Sequence, residues 1–249
     1  EGVRLLAEVG VAGLVRNEDT IPLVKIAKKY GMKVPMHFGA PSIPGSGAMT
    51  AEKAIELDPD LISHINGGPI AAPIKEVKKI IEETKFPVEV VHNGNPKVLN
   101  ETVNLLKRRR ELERLIIGSD GPTGTGVIPL SIWRVILHIS SLNSVPAYQA
   151  ISMATGNTGK VFGLGVGRII RGMPADILAV DCPRGSAGGN ALEAIECGDV
   201  PAVGMVMIRG EVFALQGRNT PLTQRHVKVD GFEERLGHED YLYGHVPRF

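Results

Sequence analysis

The chain has 249 residues, 43% of them hydrophobic and 22% charged, with 28 basic against 27 acidic side chains. That length suits one large α/β domain or one domain with a smaller appendage, and the balanced charge excludes a global field that would gather nucleic acid or an anionic membrane. Cys182 and Cys197 form no CxxC motif and no disulfide framework, and neither a signal-peptide pattern nor an apolar run of membrane-spanning length is found, so the expected location is the reducing cytoplasm.

In chain order, "LLAEVGVAGLV" (5–15) reads as a strand, "TIPLVKIAKKYGM" (20–32) as an amphipathic helix and "KVPMHF" (33–38) as a short strand. "AEKAIELD" is helical, "DLISHI" a strand, and "IKEVKKIIEETK" a helix whose apolar residues recur near every 3.6 positions. "PVEVVH", "PKVLNETVNLLKRRR" and "RLIIGSD" continue as strand, helix and strand. The basic run Lys107 to Arg110 closes that helix, where the helix dipole favours cations. "LSIWRVILHISSLN" and "PAYQAISMAT" add two helices. Such alternation implies a parallel sheet with helical crossovers.

Beyond residue 160 the texture changes. "GVGRIIRGMPADILAVD" and "VGMVMIRGEVFALQGRNTP" read as short strands broken by glycine and proline, with a looser helix-prone stretch between. The expected domains are therefore 1–160, part of a βα barrel; 161–223, a small β-sandwich appendage; and 224–249, a charged and aromatic tail ending in "HEDYLYGHVPRF". The "GLGVGR" string lies outside any βαβ unit and reads as turns, not as a nucleotide loop.

The strand tips carry Glu8, His37, His64, His92 and Asp120, at a near-constant interval of 27 to 29 residues. One βα unit of a barrel takes roughly 30 residues, so each tip sits one strand further round the C-terminal rim, where barrel active sites are built. A lone strand-end histidine is usually a satisfied structural residue, and a lone aspartate such as Asp120 in "GSDGPTGTG" can simply cap the next helix. Five such residues in register point instead to a shared metal or acid–base site. Imidazole and carboxylate donors suit zinc first, with iron and manganese as alternatives, one or two ions in all. Glu8, His37 and His64 fit the ligand roles, and Asp120 fits a base that takes a proton from a metal-activated water. The glycines of "GPTGTG" let the backbone approach a substrate closely, or form a plain turn.

At these residues a resemblance becomes clear. "MHFGAPSIPGSG", "ISHINGGP", "GNPK", "GSDGPTGTGVIPL" and "MATGN", followed by "GRIIRGMPADILAVD" and "VMIRGEV", resemble the C-terminal two thirds of an amidohydrolase-superfamily enzyme over about residues 3 to 221. The resemblance implies an α/β fold, a (β/α)8 TIM-like barrel of which this chain holds strands 4 to 8, with a β-sandwich appendage. It implies hydrolysis of a C–N bond in a small cyclic amide or enamide by a metal-bound hydroxide. It makes Glu8 the bridging carboxylate of strand 4, His37 and His64 the ligands of strands 5 and 6, and Asp120 the catalytic aspartate of strand 8. Asn66, Gly67, His92 and, in the glycine loop, Thr123 become the expected substrate contacts, with Asn66 and Gly67 alternatively read as turn formers.

The sequence departs from the family at one place. The family's first strand carries a His-x-His pair for one metal, and this chain has none. It begins without Met, already reading like a helix entering a strand, as expected of a piece of a longer barrel. Five strands cannot close an eight-stranded barrel, so open edges are expected to drive homo-oligomer formation. The competing expectation is a truncated or degenerate barrel serving as a non-catalytic binding or assembly module.

Overall fold

The computed structural model describes residues 2–6, 8–10, 16–41, 47–67, 70–121, 126–217 and 219–230. Its first layer is a parallel sheet of β1 (Pro35–His37), β2 (Leu61–Ser63), β3 (Val88–Val91) and β4 (Leu115–Gly118), in sequence order. Residues 5–9 extend it on the β1 side through parallel bridges Leu5↔Lys33 and Val9↔Met36. Five consecutive parallel segments are thus present, as the alternating pattern predicts.

The strands are short and apolar on both faces because helices cover one side and the sheet curls round the other. Val34, Met36, Phe38, Ile62, Val88, Val90 and Leu115 are all fully buried. Against them pack α1 (Asn17–Lys29), α2 (Ala51–Leu57), α3 (Ile74–Glu83) and α4 (Pro96–Arg109). α3 buries Val77, Ile80 and Ile81 along one stripe, the face its periodicity predicts. α4 opens on Asn95, whose side chain accepts from Lys97 N and Val98 N, with Pro96 in the first turn, and closes on Lys107, Arg108 and Arg109. Lys107 donates to the carbonyls of Asn143 and Ser144, both at 2.8 Å.

Three boundaries differ from the sequence reading. α1 starts and stops three residues earlier than expected, since Gly31 at φ +71° ends it. The single helix expected over 130–143 is α5 (Ser131–Leu137) followed by a π-helical turn, His138–Leu142. After α6 (Ala147–Ala154) comes α7 (Gly156–Phe162), which its two glycines concealed.

The second sheet is antiparallel: β5 (Ile177–Asp181), β6 (Ala202–Ile208) and β7 (Glu211–Leu215). β6 and β7 join through Arg209 and Gly210, both at positive φ, as a tight hairpin turn requires. Residues 165–175 form turns, so the first expected strand of the appendage is confined to β5. Between β5 and β6, α8 (Ala191–Cys197) returns to the first layer. Its Ile195 joins the main core, and Glu196 accepts the Ala147 N–H at 3.0 Å. "HEDYLYGHVPRF" lies outside the described residues. Among the described residues no helix is long and apolar enough to cross a membrane.

Candidate metal centre

Parallel pairing places the C-terminal ends of all five segments along one rim. His37 is the last residue of β1, His64 follows β2 directly, and Glu8 lies between the two bridged residues of the outer segment. Their donor atoms all fall within 4.8 Å of one another. The two imidazoles meet edge to face, ring centres 4.8 Å apart. Each histidine side chain is 11% exposed and that of Glu8 36%, so the carboxylate faces the open side.

The orientation of each donor follows from its neighbours. His37 Nε2 lies 3.1 Å from the carbonyl oxygen of Ala40, which can only accept, so Nε2 carries the hydrogen. His37 Nδ1 is then the lone-pair nitrogen, and it faces Glu8 Oε1 at 3.7 Å. A second-sphere carbonyl that fixes a tautomer in this way is the usual companion of a metal-binding imidazole. His64 points Nε2 at the same Glu8 oxygen, and its buried Nδ1 has no hydrogen-bond partner. One carboxylate and two imidazole nitrogens converging from three strands are a donor set that fits a divalent ion.

The electrostatics agree with that geometry. Burial pushes the Glu8 carboxyl up, but the two imidazoles of His37 and His64 beside it outweigh burial and hold the group at about 2. Burial pulls His64 down, yet the bond to Glu8 and the nearby charges of Glu8, Asp120 and Glu89 raise it above an ordinary imidazole. Asp120 is raised, chiefly by burial and further by Glu8, with His64 and His37 partly offsetting. Its carboxyl therefore shares the field of the cluster. Asp120 sits just beyond β4 at φ +55°, its carbonyl held by Asn93 Nδ2 at 3.0 Å. It precedes α5 by more than a turn and caps no helix.

The other expected contacts separate. Asn66 is fully buried: its Oδ1 accepts Val91 N–H at 2.9 Å and its Nδ2 donates to Val91 O at 3.0 Å. Gly67 is at φ +61°, and a Cβ there would lie 2.7 Å from Ala71 Cα, so it serves a turn. His92 lies at the end of β3, outside the Glu8–His37–His64 group, and is lowered by burial and by the Arg134 charge. Thr123 lies outside the described residues.

Sequence reasoning missed Glu89. It is the second residue of β3, partly buried, and its Oε2 accepts the backbone N–H of His64 at 3.1 Å. Burial raises its carboxyl, with His64 opposing and Asp120 and Glu8 adding. A single acidic residue inside the apolar run "VEVV" was the available signal, since an unpaired charge is rarely left in a strand buried on both faces.

No family model matches the chain. Enamidase of Eubacterium barkeri is 43% identical over 229 residues, which is 92% of this chain and 59% of that protein. The crystal structure of enamidase, described as a new member of the amidohydrolase superfamily, matches with a TM-score of 0.88 over 91% of this chain and 59% of that one. β-Aspartyl dipeptidase from Fervidobacterium islandicum matches at 16% identity and TM-score 0.58, over 88% of this chain and 59% of that one. A triazine hydrolase variant matches at 14% identity and TM-score 0.54, over 85% of this chain and 50% of that one. These last two share the fold. The parallel sheet and its helices are accordingly a sector of a (β/α)8 barrel, with the antiparallel sheet as its appendage.

Proposed function

From a chain that is a homologue of enamidase, within the amidohydrolase superfamily, and that spans 59% of that protein's length, we infer a metal-dependent hydrolase that opens a C–N bond in a small cyclic amide or enamide. The observation that carries this reading is the convergence of Glu8, His37 and His64 within 4.8 Å on the rim, with the Asp120 carboxyl in their field.

Glu8, His37 and His64 would hold a divalent ion, zinc by the chemistry of the set. When bound, a divalent ion supplies Lewis acidity, polarising a carbonyl and lowering the pKa of water toward neutrality. The chain supplies the rest. Asp120, whose carboxyl burial raises above its ordinary value, takes the proton of the attacking water. As the water oxygen joins the carbonyl carbon and the C–N bond breaks, Asp120 returns that proton to the leaving nitrogen. Asn93 donates to the Asp120 carbonyl at 3.0 Å and to the Gly126 carbonyl at 3.3 Å, fixing the backbone at the base.

Elemental analysis of protein grown with zinc tests the centre. The parent chain should retain about one ion per chain, and Glu8→Gln, His37→Ala and His64→Ala should lose it. Asp120→Asn should keep its metal while turnover of a cyclic amide, measured in the complete enzyme, falls roughly two to four orders of magnitude. A parent that binds no metal, or an Asp120→Asn variant with normal turnover, rejects the assignment.

A further inference from the structure

His64 is the least relaxed residue of the centre. It sits at φ +32°, a left-handed backbone that side-chain-bearing residues adopt only where the surroundings hold them. β2 has ended at Ser63, so the ladder to β3 is no longer built by two regular strands. It is continued by substitutes. The Glu89 carboxylate accepts His64 N–H at 3.1 Å, the Glu89 carbonyl accepts Ile65 N–H at 2.8 Å, and the Asn66 amide pairs with Val91. Of these bonds, the one from the Glu89 side chain acts on His64 itself.

The space for that carboxyl is made on the neighbouring strand. Gly118, the last residue of β4, lies against Glu89, and a Cβ built at position 118 would overlap Glu89 Oε1 and approach the Val91 side chain at 3.3 Å. A side chain there would require the Glu89 carboxyl to shift from its place beside the His64 N–H. Glu89 and Gly118 are therefore one device. An acid from the middle strand passes beneath the rim and is admitted by a missing side chain on the next strand.

We propose that Glu89 is a positioning residue of the centre: it holds the His64 backbone in the conformation that brings Nε2 onto Glu8, and Gly118 is required because it leaves room for the Glu89 carboxyl. This rests on the reading of Glu8, His37 and His64 as the metal-holding set.

The test is metal affinity of the full chain, by calorimetric zinc titration, together with the visible absorption spectrum of the cobalt-substituted protein. Glu89→Gln keeps an oxygen to accept the N–H and should bind zinc within about threefold of the parent, on a scale where outer-sphere losses cost 10–100-fold. Glu89→Leu removes the acceptor at similar volume and should weaken zinc roughly 10–100-fold with an altered cobalt spectrum. Gly118→Ala, which leaves Glu89 in place chemically, should reproduce the Glu89→Leu result, and it decides the matter should Glu89→Leu fail to fold. Parent-like affinity and spectrum in a folded Glu89→Leu or Gly118→Ala chain overturns the proposal, as does a Glu89→Gln chain as weak as Glu89→Leu. A parent that binds no zinc removes the metal centre itself, a different failure from variants that bind as the parent does.

Discussion

Asn66→Ala separates a substrate contact from a frame residue. The side chain is 0% exposed and forms both bonds, at 2.9 and 3.0 Å, with the backbone of Val91, itself 1% exposed. Truncation deletes two hydrogen bonds and leaves one N–H and one C=O buried without partners. At about 1–3 kcal/mol for each orphaned group, the loss is roughly 2–6 kcal/mol. For a chain of this size, at about 2–4 °C per kcal/mol, that corresponds to a melting temperature lower by about 4–24 °C. Asn66→Asp refines the point. It can still accept the Val91 N–H, but its ionised form sets a carboxylate against Val91 O in a buried place, so its folded-state pKa is raised. The penalty is absent below the unfolded value of about 3.9, grows as pH rises through it, and is complete above the folded value. Urea unfolding followed by far-UV circular dichroism from pH 4 to 8 measures both effects. An Asn66→Ala chain within about 1 kcal/mol of the parent, with Asn66→Asp insensitive to pH, would refute the frame role and return Asn66 to the pocket wall.

At the opposite end of the strands, Arg114 is 7% exposed and donates to Phe86 O at 3.0 Å, to Ile81 O at 3.2 Å and to the Glu111 carboxylate. Arg114→Met keeps the aliphatic packing but strands these acceptors, and unfolding should become easier by about 3–5 kcal/mol, as read by calorimetry. The Glu111 carboxyl is held at about 2, first by Lys85 and then, against burial, by Arg114 and Arg109. Because that value is depressed, its stabilisation is complete above the ordinary glutamate value of about 4.3 and disappears as pH falls toward about 2. Glu111→Gln should therefore flatten the acid limb of the stability curve between those values, and an unchanged limb counts against the pairing.

The rim was legible because repetition is legible. Glu8, His37, His64, His92 and Asp120 recur at a near-constant interval, and an interval survives without knowledge of any contact. The apolar stripe of α3 and the cap of α4 at Asn95 were readable for the same reason, being local patterns with local causes. What escaped was set by partners far along the chain. The start of α1 moved because Asn17 is buried against α2, donating to Lys53 O at 3.3 Å. α7 forms despite two glycines because Asn157 reaches across to Leu115 O at 3.0 Å. Asn66 and Gly67 stand beside a ligand in sequence, which suggested the pocket, whereas the fold spends them on the turn beneath it. Glu89 escaped because it lies within β3 and not at its tip, and its purpose appears only when Gly118 is placed opposite.

The bond from Glu8 to His64 joins residues 56 positions apart and passes over the end of β1 to reach β2. The outer segment is thus held twice. Its flank is laced to β1 by Leu6 N to Lys33 O at 2.9 Å and His37 N to Val9 O at 2.8 Å, and its tip is clasped two strands away. Such a clasp closes a loop without covalent chemistry. Opening of the outer segment is therefore coupled to opening of the centre. Amide protons of Leu6, Val9 and His37 should exchange faster in Glu8→Gln than in the parent, as read by hydrogen–deuterium exchange.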